Sequence, residues 1–145
     1  MQIGLQNFEN HILSSMDKRA EYWIELADYD FATAKAMHKT GRFLYVGFMC
    51  HRSIEKSIKA LIAKDCGDGD IPPKSHNLLK LSTEANLFAI MAPEQQEFLA
   101  FLNPLNIEAR YPEYKKQLIA ILTQEKCDEI IGKTEGLLCW IKNRL

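Results

Sequence analysis

The residues able to do chemistry in this chain are polar side chains at positions where helical spacing predicts apolar ones. Asp30 is the first. At about 100° per residue it falls between Leu26 and Ala34 and close to Trp23, on the side of a helix that should pack. A carboxylate there is costly to bury unless a donor or cation answers it. It therefore marks either a structural hydrogen bond to a neighbouring helix or the wall of a polar cleft. His51, Glu55 and Lys59 form a second row at successive spacings of four, which lets them hold one another along one helix flank. The row reads as a flank salt bridge or as an anion site, with Lys59 and His51 on the anion and Glu55 orienting them. Arg52, Lys56 and Lys59 make a basic line, either the solvated side of an amphipathic helix or a set of phosphate contacts. His76 follows Ser75 at the start of a helix, where free N–H groups favour anions or a local cap forms. Arg110 and Tyr111 lead the run Arg110-Tyr111-Pro112-Glu113-Tyr114. A guanidinium there presents a planar fork to a carboxylate or phosphate, or bridges helix-end carbonyls.

Helices must position these groups, because no segment alternates as a strand does. The first is expected from near Asp17 to Thr40, with Gly41 as its stop and Trp23, Leu26/Ala27, Phe31, Ala34 and Met37 as its apolar stripe. The second runs from Phe43 to Asp65, with Phe43, Gly47, Cys50, Ile54, Ile58 and Leu61/Ile62 inward. The short connection at Gly41 makes the two antiparallel neighbours. Residues 66–75 form a loop rich in Gly, Asp and Pro, and a short helix follows with Ser75 as its cap. Pro93 opens another helix as its first residue, and Pro104 breaks it. Pro112 ends any helix at Tyr111; no assignment is made for Asn106 to Leu122. Thr123 caps a last helix that reaches about Asn143, with Cys127, Ile130/Ile131, Leu137/Leu138 and Ile141 inward. The fold class is all-α: an up-and-down bundle of about five helices around long antiparallel ones. Residues 1–16 form an N-terminal arm and 17–145 one helical domain.

Composition limits the function classes. The chain has 145 residues, 47% hydrophobic and 26% charged, with a formal net charge of −1. That describes one globular domain and argues against a dominant basic field for nucleic acid. The longest near-apolar run, Phe43 to Cys50, is far short of the roughly 20 residues that a membrane span needs. Cys50, Cys66, Cys127 and Cys139 show no Cys-x-x-Cys spacing and read as free thiols in a reducing cytoplasm. His11, His38, His51 and His76 show no metal spacing, and no cofactor is expected. A phosphate loop, a dinucleotide fingerprint and a Gly-x-Ser-x-Gly elbow are absent from the sequence.

Five pieces in order carry a resemblance: Asp30-Phe31-x-x-Ala34; Gly41-x-Phe43 with Tyr45; Ser53-Ile54-Glu55-Lys56-x-x-Lys59-Ala60-Leu61; Ser75-His76-Asn77-Leu78-x-x-Leu81; and Glu108-Ala109-Arg110-Tyr111-Pro112. Together they resemble the HEPN family (higher eukaryotes and prokaryotes nucleotide-binding domain) from Trp23 to the C-terminus. The resemblance implies an up-and-down bundle that is commonly a homodimer. It implies a nucleotidyltransferase partner of toxin–antitoxin type, and a likeness to the helical substrate-binding part of kanamycin nucleotidyltransferase. Other members of the family are metal-independent ribonucleases that carry Arg followed by His with four to six residues between. No arginine here is followed by His at that interval, which argues against RNA cleavage. His51-Arg52 stand where relatives often have glutamines, a change in the direction of an anion.

Three functions compete. The first is a nucleotide- or anion-binding module using Asp30, His51, Glu55, Lys59, His76, Arg110 and Tyr111, without bond chemistry. The second is a divergent endoribonuclease, with RNA as ligand and His51 or His76 as base. The third is a structural assembly subunit.

Overall fold

The structure is a computed structural model that describes residues 2–65, 71–106 and 112–145, with side chains from Lys18 onward. Among them lie six α-helices and two 3-10 turns, with no strand: α1 Gln2–Lys39, α2 Phe43–Asp65, α3 Leu78–Glu84, α4 Pro93–Leu102, α5 Pro112–Ile121 and α6 Gln124–Lys142. The 3-10 turns are Phe88–Ile90 and Asn103–Asn106. No described helix is long and apolar enough to cross a membrane.

Gly41 makes the first reversal. Its φ of +75° is a left-handed conformation that costs glycine little, and it lets Arg42 N–H reach the Met37 carbonyl at 2.8 Å. Helices α1 and α2 then run antiparallel. Ala27, Phe31 and Ala34 of α1 bury against Val46, Cys50, Ile54 and Ile58 of α2, and Cys127, Ile130, Leu137, Leu138 and Ile141 of α6 complete the main layer. Leu78, Leu81, Leu99, Leu102 and Leu105 close the other side of α2. Gly47 packs closely there: a Cβ on it would meet Leu105 Cδ1 at 2.9 Å, so that the end of the leucine would have to shift. Pro93 and Thr123 act as the sequence implies: Pro93 opens α4, and the Thr123 hydroxyl accepts the Lys126 N–H at 3.2 Å.

Several expectations are corrected. Helix α1 begins at Gln2, not near Asp17. No proline before Asp17 interrupts the helix. The cap of α3 is Asn77, not Ser75. Asn77 Oδ1 accepts from Leu79 and Lys80 N–H, while Ser75 Oγ accepts only from Asn77 N–H. Within the segment left unassigned, Pro112 opens α5, because a first-turn position has no hydrogen bond for proline to break, while Tyr111, where any preceding helix was expected to end, lies outside the described residues. Most consequential is α2. Neighbours enclose it on nearly every side, so its polar row is buried instead of lying on a solvated flank.

Candidate functional site

The polar side chains of α2 fall into two groups. In the first, Glu55 is the hub. Its Oε2 accepts from Lys59 Nζ at 3.2 Å, and its Oε1 accepts from His76 Nδ1 at 2.8 Å. Glu55 is 3% exposed and Lys59 5%, so both charges have lost most of their water. Two charged groups so placed persist because each answers the other. Lys59 Nζ also lies 5.6 Å from the centre of the Trp23 ring on α1, within cation–π range. His76 arrives from the segment before α3. The Asn77 cap and the bond from Leu78 N–H to Asn103 Oδ1 at 2.8 Å hold that segment against the Asn103–Asn106 turn. With Nδ1 spent on the carboxylate, His76 Nε2 is its remaining nitrogen, and the side chain is 59% exposed.

His51 lies one turn before Glu55 and is fully buried. Neither ring nitrogen makes a hydrogen bond of good geometry, the backbone of His76 acts on the ring only as a weak contact, and Glu55 Oε1 stands 3.8 Å from Nδ1, too far for a hydrogen bond. Burial pushes its pKa down to about 4, with the Glu55 carboxylate pulling less strongly the other way. His51 is therefore neutral at pH 7 and enclosed.

The second group centres on Asp30 of α1. Lys56 Nζ donates to Asp30 Oδ2 at 2.5 Å, and Arg52 Nε stands 3.9 Å from the same oxygen. Arg52 lies over the Phe48 ring at 5.5 Å and keeps 37% of its side chain exposed. Beside this group, Ser53 Oγ donates to the Ala27 carbonyl at 2.7 Å and binds the two helices directly.

The structure gives Asp30 and Lys59 separate partners. Asp30 answers Lys56 and Arg52, Lys59 answers Glu55, and no hydrogen bond or ion pair links the two groups among the described residues. The physical reason is a turn of helix: Lys56 follows Glu55 by one residue and so points about 100° away from it. The basic line is corrected, since Lys56 and Lys59 are engaged by buried carboxylates instead of facing solvent. Arg110 and Tyr111 lie outside the described residues, as does Cys66. The site residues that sequence reasoning missed are Lys56 and Arg52 as partners of Asp30, and Trp23 as the neighbour of Lys59. A usable signal was present. In an antiparallel pair reversing at Gly41, residues at equal distance from the turn face each other: Asp30 and Arg52 are both eleven from Gly41, and Trp23 and Lys59 both eighteen.

The Glu55 group joins a buried carboxylate, a buried ammonium and an outward imidazole, while the half-exposed Arg52 guanidinium belongs to the Asp30 group. It can hold an anion at its outer edge or orient an imidazole for proton transfer. Among the described residues, no group of His, Cys, Asp and Glu has the geometry of a metal site.

Comparison with solved structures places this architecture. TT1696 from Thermus thermophilus superposes with a TM-score of 0.71 at 19% identity, covering 88% of this chain and 98% of that one. ST0689, an archaeal HEPN homologue, superposes with a TM-score of 0.61 at 21% identity, covering 87% of this chain and 97% of that one. At such identities the likeness shows the fold. No curated protein matches the chain in sequence. The sequence model of the HEPN domain, however, matches residues 20–144, and with the whole described core inside that match the chain belongs to the HEPN domain family.

Proposed function

We propose that this chain is a HEPN-type binding module that takes a nucleotide or similar anion at the outer edge of the Glu55 cluster. In the same reading it acts in the cytoplasm as a homodimer and as the helical partner of a minimal nucleotidyltransferase, in a toxin–antitoxin pair. The observation that carries the binding role is the Glu55 carboxylate: nearly buried, it holds Lys59 and aims His76 outward. Phosphate oxygens would meet His76 Nε2, and Arg52, on the same helix as Glu55 and held by Asp30, would add long-range attraction for an anion. The buried charges fix geometry and need not touch the ligand. Arg110 and Tyr111, by their place in the sequence, are the proposed further contacts for phosphate and base.

Thermal unfolding with AMP and with ATP tests this, since a ligand that binds the native state raises its stability by mass action. A rise in Tm that saturates with nucleotide, and that shrinks in His76→Ala and Arg52→Ala, is expected. No shift at millimolar nucleotide refutes the binding role and leaves the assembly subunit. Co-purification of the chain with a nucleotidyltransferase encoded beside it tests the partner.

One observation favours a second reading, a divergent endoribonuclease. A carboxylate on Nδ1 orients the His76 imidazole as a base is oriented in general acid–base sites. His51 is enclosed, so this reading attaches to His76 alone. Metal-free cleavage of structured RNA that disappears in His76→Ala would establish it. Absence of cleavage by the intact chain would leave binding as the role.

A further inference from the structure

A cleft of about 400 Å3 opens where the α1–α2 turn meets α5, lined by none of the Glu55-cluster residues. Its walls are apolar: Phe43 and Leu44 from the first turn of α2, and Ile119 and Leu122 from α5 and just beyond it. Leu122 is buried, while Ile119 and Tyr45 are 54% and 52% exposed. The volume falls within the range of roughly 300–1,000 Å3 usual for small-molecule pockets.

The charged lining is one-sided, and Tyr45 adds a hydroxyl that can donate or accept. Among the described residues no acidic side chain lines the cleft, and the cation on it is Arg42. Its guanidinium carries donors and no acceptor. Among the described residues that guanidinium has no hydrogen-bond or ion-pair partner, in contrast to Arg52 beside Asp30. Thr40 adds no second donor, because its hydroxyl already donates to the Ala36 carbonyl at 2.9 Å. Gly41 stands between them without a side chain, and nothing lies within 4 Å of where its Cβ would be. An unanswered cation beside an apolar cleft selects a ligand of the complementary kind. The apolar body leaves water along the walls, and the negative head makes charge-assisted hydrogen bonds to the guanidinium. Self-docking of a second copy through this cleft would bring two Arg42 cations towards one two-fold axis with no carboxylate among the described lining residues to answer them.

We propose that this cleft binds an amphiphilic monoanion, a carboxylate on an aliphatic body, with the head on Arg42 and the body against Phe43, Leu44, Ile119 and Leu122. Decanoate is the probe, titrated by calorimetry into the intact chain below its micelle-forming concentration, with decan-1-ol as the uncharged control. One saturable site is expected. Arg42→Ala should weaken decanoate about tenfold, the scale of a lost charge-assisted hydrogen bond, and leave decan-1-ol unchanged. Ile119→Trp, which fills the mouth from an exposed position, should weaken both. Circular dichroism confirms that each variant is folded. The proposal is overturned by three results: no saturable binding, multi-site detergent-like uptake, or equal decanoate affinity with and without Arg42. It is also overturned if sedimentation shows copies associating through this face, with Ile119→Trp dissociating them and decanoate failing to compete.

Discussion

Substituting Glu55 with Gln keeps the shape of the side chain and removes its charge, which leaves Lys59 buried without a counterion. The lost attraction follows from the geometry. At 3.2 Å and an effective dielectric of about 20, two unit charges attract by about 5 kcal/mol. The amide oxygen of Gln still accepts a hydrogen bond from Nζ, and the Trp23 ring still faces the ammonium, so about 2 kcal/mol returns. A net loss of about 3 kcal/mol is expected, in line with removing one partner of a buried pair. Lys59→Met should cost less, about 2 kcal/mol, because the Glu55 carboxylate loses its cation but keeps the His76 N–H on its other oxygen. The double variant Glu55→Gln/Lys59→Met leaves no buried charge unanswered, so its loss should fall short of the two single losses combined by about 2 kcal/mol. Urea unfolding measures all three, provided the slope of free energy against denaturant stays constant. If each single change costs under about 1 kcal/mol and the double is additive, the Glu55–Lys59 pair is a solvated contact, and the reasoning about the cluster fails.

Acid should destabilise the fold through His51. Its folded pKa of about 4 lies below the usual 6.5, so between those values the unfolded chain binds a proton that the folded chain does not. Its contribution is complete above pH 6.5 and is lost as pH falls towards 4; from pH 7 to 5 the loss is about 2 kcal/mol. His51→Leu should flatten the dependence of the urea midpoint on pH over that interval, and an unchanged slope would refute the assignment. Iodoacetamide should label exposed Cys139 in the native protein and spare Cys50 and Cys127, whose thiols burial pushes up to about 12 and about 11. Peptide mass spectrometry before and after unfolding reads this directly. Gly136→Ala in the interior of α6, where nothing lies within 4 Å of the added Cβ, should raise stability by about 1 kcal/mol, seen as a higher Tm.

Much of the fold was legible in the sequence because it depends on local signals. The bounds of α2, the Gly41 reversal, the Pro93 start and the Thr123 cap all follow from residues within one turn of the feature they set. Position in the assembled bundle was not legible from periodicity. The stripe on α2 marks one apolar face, yet the helices that cover its other flanks come from residues 78–106, and nothing in the α2 sequence announces them. The same gap governs the site. Glu55 and Lys59 were visible as a local pair at a spacing of four. The third member, His76, lies across a loop, and its contact with Glu55 depends on where α3 docks. Asp30 was rightly read as a carboxylate needing an answer, and its answer came from the residues assigned to solvent. Among the described residues, an apolar pattern told which face packs first. It could not tell how many faces would pack.

The enclosure of α2 has a kinetic counterpart. Thirteen of its residues are buried, whereas Leu118 is the buried residue of α5. Amide protons in the middle of α2 can then exchange with deuterium only when the entire molecule unfolds, and those of α5 can exchange through a fluctuation that releases one leucine. The chain should open as a sequence of steps that starts at α5 and leaves the α1–α2 hairpin until last. Because that hairpin is joined by a single tight turn, only a short loop has to close for its two long helices to meet when the chain refolds.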